Sequence, residues 1–222
     1  MTNFIHEIAS NKNTNFIILS AGENKTRGQH GTKSLIYIDN NQTLLDTQIK
    51  RIKKYSEKSE IFVATGYQSR LITEHLLNKY PEVKIIENKN YKKTTPLETL
   101  RLCLNCCACE DTYIIYGDKY FDVDSINLQN RSEPAVVESI SSISKSDPGL
   151  VYQNDTLKRI TYGIKKKWGQ IFYIPKYLFY DFRHRTNNSK KKYYNIYDII
   201  NEVSQTYKFK IHKSKNIKEV PQ

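Results

Sequence analysis

The feature that most narrows what this chain can fold into is an alternation of two hydrophobic periods. Four short apolar runs, FIIL (16–19), IFVA (61–64), VKII (83–86) and YIIY (113–116), are separated by longer segments. Runs this short, bounded by glycine and polar residues, read as buried strands rather than helices. The segment 44–55 carries Leu44, Leu45, Ile49, Ile52 and Tyr55, a helical spacing. A second helix is predicted over 70–80, stopped by Pro81, and a third over 96–107 with Pro96 in its first turn. Strands that alternate with helices in this way predict an α/β chain with a mixed, mostly parallel sheet. A short second strand is expected at 34–38. Beyond residue 134 the pattern changes. The segments 135–143, 149–152, 157–164 and 170–174 are strand-like with few helices between them, and a last helix is predicted at about 193–207. This second half is expected to build a small antiparallel lobe. Residues 1–14, polar and rich in asparagine, read as a flexible tail, and 15–222 as a single domain.

A chain of 222 residues is long enough for one domain with a sizeable core. Hydrophobic residues make up 38% and aromatic residues 12%, which excludes a disordered protein. No run reaches the length of a membrane span, and the first fifteen residues hold no apolar signal core, so no membrane partner and a cytoplasmic location are expected. The net charge of +12 favours a phosphate-bearing partner. Most of the lysines are scattered. The densest cluster, Lys190, Lys191 and Lys192, reads as a loop before a helix, so nucleic acid is not the expected partner. The four cysteines fall within CLNCCAC (103–109), with no second pair of the kind zinc sites draw on. They read as free thiols of a reducing compartment. The five histidines show no metal-site spacing.

The first strand runs into the loop SAGENKTRGQHGTKS (20–34). A P-loop requires GxxxxGK[ST] with a helix starting at the lysine. In GQHGTKS, Thr32 intervenes between Gly31 and Lys33, and SLIYID that follows reads as a strand, so no helix N-terminus meets the phosphate. The dinucleotide fingerprint GxGxxG is absent as well. What remains is a loop leaving the end of a central strand. Ser20, Ala21 and Gly22 are small enough for backbone amides to approach a nucleotide closely. Arg27 and Lys33, assisted by Lys25, are placed to clamp a triphosphate. In phosphoryl and nucleotidyl transfer a protein mostly positions groups and neutralises charge. Asp118 follows YIIYG at a strand's C-terminal end, where sheet ligands collect, and offers the hard oxygen that magnesium prefers.

These pieces resemble the sugar-1-phosphate nucleotidyltransferases, whose signature reads roughly LAAGxGxR…PKxLxxI. The match is Leu19-Ser20-Ala21-Gly22, Arg27 and Lys33-Ser34-Leu35; the second glycine is replaced within Glu23-Asn24-Lys25, and Thr32 stands in place of the proline. Further stretches agree in order: NQTLLDTQ (41–48), IFVATGY (61–67), NKNYKKTTPLETLRLCL (88–104), IIYGD (114–118), the hairpin at 157–165 and GQIFYIP (169–175). IFVATGY and NKNYKK are similar to the phosphocholine cytidylyltransferases as much as to the sugar enzymes. The resemblance implies a Rossmann-like three-layer nucleotidyltransferase fold. It implies magnesium-dependent joining of a nucleoside triphosphate to a small phosphorylated acceptor, a sugar 1-phosphate, phosphocholine or similar, in surface glycan, lipid or capsule synthesis. Under it, Arg27 holds the departing phosphates and Lys33 the α-phosphate. Thr95 and Gly117 border the nucleotide, and Thr95 and Glu98 stand where the base or the acceptor is read, with Glu98 as a substrate-binding residue. Lys165 and Gly169 fall at the acceptor, and Asp118 and Glu219, in IKEVP (217–221), are the metal ligands. Two rival readings are a metal-dependent glycosyltransferase using Asp122-Val123-Asp124, and a catalytically degenerate nucleotide- or nucleic-acid-binding protein on a related fold.

Overall fold

A computed structural model describes residues 13–23, 31–39, 41–191 and 193–219. Thirteen strands and five α-helices are formed among them. Strands β1 (Thr14–Leu19), β4 (Glu60–Thr65), β5 (Lys84–Glu87) and β6 (Asp111–Tyr116) are linked through helices α1 (Leu44–Tyr55), α2 (Ser69–Lys79) and α3 (Pro96–Cys106). The second half supplies β8 (Ala135–Ser139), β9 (Gly149–Gln153), β10 (Thr156–Thr161), β11 (Lys167–Ile174) and β12 (Lys210–Ser214), with helices α4 (Lys176–Thr186) and α5 (Ile196–Val203). All nine strands join one sheet in the order β5-β4-β1-β6-β11-β8-β12-β10-β9. Only β10 and β11 run against the rest. The sheet is therefore mixed and mostly parallel, as expected, and the antiparallel pairings fall in the second half.

The alternation of side chains along β1 builds the layers. Phe16 and Ile18 face α1 and α2, packing with Leu45, Ile49, Ile52, Ile72 and Leu76. Ile17 and Leu19 face the other way, into a core with Leu97, Leu100 and Leu104 of α3, Phe179 and Phe182 of α4 and Ile199 of α5. The first helix starts at a reciprocal cap: Thr43 accepts from the Asp46 amide while the Asp46 carboxylate accepts from the Thr43 amide.

Several expectations are corrected. The strand expected at 34–38 is a single 3₁₀ turn, Lys33–Leu35, followed by β2 (Tyr37–Asp39), which pairs with β3 (Gln42–Thr43) in a separate two-stranded ribbon. Backbone bonds from Leu35 to Thr32 and from Ile36 to Lys33 close that turn. Helix α4 and strand β12 are absent from the sequence reading. Leu178, Phe179, Phe182 and Thr186 are buried at helical spacing, but the tyrosines and basic residues around them mask the stripe. The segment 135–143 is a strand only to Ser139, and the helix expected at 193–207 forms at Ile196–Val203. The loose tail expected over 1–14 is ordered at its end: β1 begins at Thr14, which is buried. Residues 1–12 lie outside the described residues. Of the cysteines, all four are free; Cys103 and Cys107 are buried, Cys106 is exposed, and burial pushes the Cys107 thiol up to about 12.

Candidate active site

From β1 the chain winds outward to β4 and β5, then crosses back to add β6 on the other side of β1. The crevice outside the carboxyl ends of β1 and β6 is thus the point where strand order reverses, the usual ligand position in an open α/β sheet. A cleft of about 460 Å³ opens there. Its floor is Ser20, Ala21 and Gly22 after β1 and Tyr116, Gly117 and Asp118 at the end of β6. Thr32 and Lys33 form one side, and Tyr91, Thr94, Thr95 and Thr99 the other.

Close backbone packing sets this floor. The Gly117 amide donates to the Leu19 carbonyl at 2.9 Å, and a Cβ on Gly117 would lie 2.3 Å from Ser20 Oγ. The Tyr67 amide donates to the Ala21 carbonyl at 3.0 Å, and a Cβ on Gly66 would lie 2.8 Å from that oxygen. Gly22, by contrast, has no atom of the described residues within 4 Å of its Cβ position, which leaves this part of the floor open among them. The far wall is held by buried Asn88, whose Nδ2 donates to Thr94 Oγ1 at 3.1 Å and to Thr99 Oγ1 at 2.9 Å. Thr95 donates to the Tyr194 carbonyl at 2.5 Å, tying this wall to the chain just before α5.

Charge is concentrated on one side. Strand β7 (Lys119–Tyr120) pairs with β13 (Lys218–Glu219), placing Glu219 opposite Lys119. Lys33 Nζ lies 2.8 Å from Glu219 Oε1 and 3.8 Å from Asp118 Oδ2. Lys119 Nζ lies 3.2 Å from Asp118 Oδ2 and 3.1 Å from Glu219 Oε2. Two carboxylates are therefore bridged by two ammonium groups. Burial raises the Glu219 carboxyl, and Lys33 and Lys119 more than offset it, so its pKa is lowered. Asp118 Oδ1 is buried with no hydrogen-bond partner among the described residues.

The predicted residues divide as follows. Ser20, Ala21, Gly22, Lys33, Thr95, Gly117 and Asp118 all border the cleft, and Glu219 joins Asp118 through the two lysines. Glu98 is turned to its own helix, held by Arg101 at 2.7 Å on each oxygen. Lys165 is exposed in the turn between β10 and β11, and Gly169 is packed rather than open, since a Cβ there would lie 2.8 Å from Ile217 Cδ1. Gly169 thereby lets the 217–219 segment close in. Lys25 and Arg27 lie outside the described residues. The first aspartate of the glycosyltransferase-like motif, Asp122, is paired with Arg51 at 3.3 Å, and Asp124 is exposed. Sequence reasoning missed Lys119, whose only signal was adjacency to Asp118, and Gln48, whose Nε2 donates to the Lys119 carbonyl at 2.7 Å.

The donor set fits magnesium. That ion is commonly held by one or two carboxylates, with waters and substrate phosphates completing its shell. Asp118 and Glu219 supply two carboxylates, and the unpartnered Asp118 oxygen is a ready ligand. No group of three or more His, Cys, Asp or Glu residues gathers among the described residues. No helix among them is long and apolar enough to cross a membrane.

No family model matches the sequence, and no curated protein does. Solved structures do match. CTP:phosphocholine cytidylyltransferase from Streptococcus pneumoniae superposes with a TM-score of 0.76 at 17% identity, covering 94% of this chain and 93% of that one. The inositol-1-phosphate CTP transferase from T. maritima matches with a TM-score of 0.73 at 16% identity, over 95% and 90% of the two chains. HddC from Yersinia pseudotuberculosis, complexed with GMP-PN, matches with a TM-score of 0.71 at 12% identity, over 93% and 94%. The chain has the Rossmann-like three-layer fold that these nucleotidyltransferases share.

Proposed function

We propose that this protein is a magnesium-dependent nucleotidyltransferase, joining a nucleoside triphosphate to a small phosphorylated acceptor with release of pyrophosphate. The observation that carries this reading is the Asp118–Lys33–Glu219–Lys119 cluster at the strand-order reversal, beside an open glycine floor. A phosphate oxygen of the acceptor attacks the α-phosphorus, and the bond from that phosphorus to the bridging oxygen of pyrophosphate breaks. Lys33 faces the α-phosphate, where charge develops, and Arg27 receives the departing phosphates. The amides of Ala21 and Gly22 approach the nucleotide, with Ser20 and Gly117 beneath it, and Thr95 borders the base. Asp118 and Glu219 would hold magnesium, which would supply charge neutralisation on the phosphates when bound.

The acceptor side is aromatic. Tyr116 borders the cleft, and Tyr162 and Tyr197, neither of them buried, meet edge-on at 5.9 Å. Burial raises the Tyr116 phenol, and the charges of Asp118, Tyr162 and Tyr197 raise it further. Aromatic faces attract quaternary ammonium groups. Within the acceptor class this favours phosphocholine over a sugar 1-phosphate, and a place in surface glycan, lipid or capsule synthesis in the cytoplasm follows from that product.

The test is to incubate the protein with magnesium, each nucleoside triphosphate in turn and phosphocholine or sugar 1-phosphates, and to measure pyrophosphate. Release with one nucleotide that disappears in Asp118→Ala supports the reading. Salt-sensitive binding of DNA by folded protein, with no release from any pair, moves the binding-protein alternative ahead.

A further inference from the structure

The two lysines of the cluster are not equivalent. Lys33 borders the cleft on the 3₁₀ turn, with 18% of its side chain exposed. Lys119 does not border the cleft, and its side chain is only 6% exposed. Its backbone is held from two sides, by the β7–β13 pairing opposite Glu219 and by Gln48 on its carbonyl. A triphosphate arriving at Gly22 therefore finds Lys33 within reach, and Lys119 fixed between the carboxylates.

We infer that Lys119 is a resident counter-ion that prevents the Asp118–Glu219 pair from capturing a divalent cation unaided, so that the metal enters with the nucleotide. The inference rests on the proposed metal role of those two acids. At rest, two carboxylates face two ammonium groups and the cluster carries no net charge. A divalent cation gains little from such a site, because binding both carboxylates requires it to displace an ammonium. When the triphosphate draws Lys33 away, the remaining three groups sum to one negative charge, and a metal already bound to the phosphates meets an attractive site. Lys119 keeps the carboxylates together throughout, because its chain cannot follow the nucleotide.

The experiment is a Mn²⁺ titration of the full chain without nucleotide, following the free aqua ion by electron paramagnetic resonance. Lys119→Met should bind Mn²⁺ tighter than wild type by roughly tenfold or more, because one unit of opposing charge is removed within about 3 Å of both ligands. Lys119→Arg, which keeps the charge, should bind as weakly as wild type. Adding Asp118→Asn to Lys119→Met should abolish the gain, which locates the ion. If thermal melting shows Lys119→Met unfolded, Lys119→Gln serves in its place. Wild type that binds Mn²⁺ as tightly as the neutral variant overturns the inference, as does an arginine variant as tight as the methionine one. The two readings fail separately. Capture of Mn²⁺ by the neutral variant without pyrophosphate release by wild type sinks the reaction and keeps the counter-ion. Release by a wild type that binds Mn²⁺ unaided does the reverse.

Discussion

Asp46 and Asp118 each face two basic side chains, on opposite sides of the difference between a structural and a chemical carboxylate. Asp46 has 1% of its side chain exposed and both oxygens taken. Oδ2 accepts from the Thr43 amide at 2.9 Å and from Lys79 at 3.2 Å, while His75 Nε2 lies 2.8 Å from Oδ1. It caps α1 and pins α2 to it. Asp118 is 26% exposed, has a second acid across Lys119 and Lys33, and keeps Oδ1 without a partner among the described residues. A buried carboxylate whose valences are all filled by its own chain has nothing left for a ligand. One that borders a cleft and keeps an oxygen unpartnered among the described residues has.

Breaking the second cluster should have the largest effect. Asp118→Asn is expected to lower pyrophosphate release by about 100-fold or more, with little change in melting temperature, because charge stabilisation at the phosphates is lost. Next comes the first cluster. Asp46→Ala should destabilise the fold by about 3 kcal/mol, since it removes a helix cap and leaves Lys79 and His75 without their acid. Urea unfolding measures that loss, and turnover per folded molecule should be unchanged.

Acid titration sharpens the same contrast. Burial raises the Asp46 carboxyl, but the bonds from Thr43, His75 and Lys79 outweigh it and hold the pKa at about 2. A folded pKa below the unfolded value, about 3.9, gives stability that is complete above the unfolded value and lost as pH falls. The unfolding free energies of wild type and Asp46→Asn, measured by urea at successive pH values, should therefore converge as pH drops from the ordinary carboxylate range through about 2. Convergence at neutral pH instead would contradict the assignment.

Smaller effects come from the floor and the rim. Gly117→Ala places a Cβ 2.3 Å from Ser20 Oγ and 2.7 Å from the Leu19 carbonyl. Overpacking of that kind costs about 1–3 kcal/mol, read as a lowered unfolding midpoint. Gly22→Ala, with open space around it, should leave the midpoint unchanged. Glu219→Gln should lower stability by about 1 kcal/mol, since the largely buried Lys119 loses one of its two carboxylates but keeps Asp118; it should also reduce pyrophosphate release.

The parallel half of the sheet was legible residue by residue, and the second half was not. Four apolar tetrapeptides interleaved with amphipathic segments carry their own period, and Thr43, Pro81 and Pro96 mark helix ends locally. Ser20, Ala21, Gly22 and Asp118 could be picked out because each lies just after a strand, where a sheet exposes its ligands, and Lys33 because it is the basic residue that closes the loop leaving β1. Helix α4 was hidden because its buried Phe179 and Phe182 alternate with exposed Tyr177 and Tyr180, which blur the stripe. Glu98 looked available from its place at a helix start, yet Arg101 one turn on claims it.

Local hydrophobic period and turn chemistry were thus sufficient for the α/β architecture, the floor of the cleft and the place of Asp118 on it, since these depend on residues close together in the chain. The partnership of Asp118 with Glu219, about a hundred residues apart, and the burial of Lys119 between them arise from the β7–β13 pairing. So does the use of Gly169 as room for Ile217. Charges so distant in sequence meet only when a sheet brings their strands together, and no local pattern encodes that meeting.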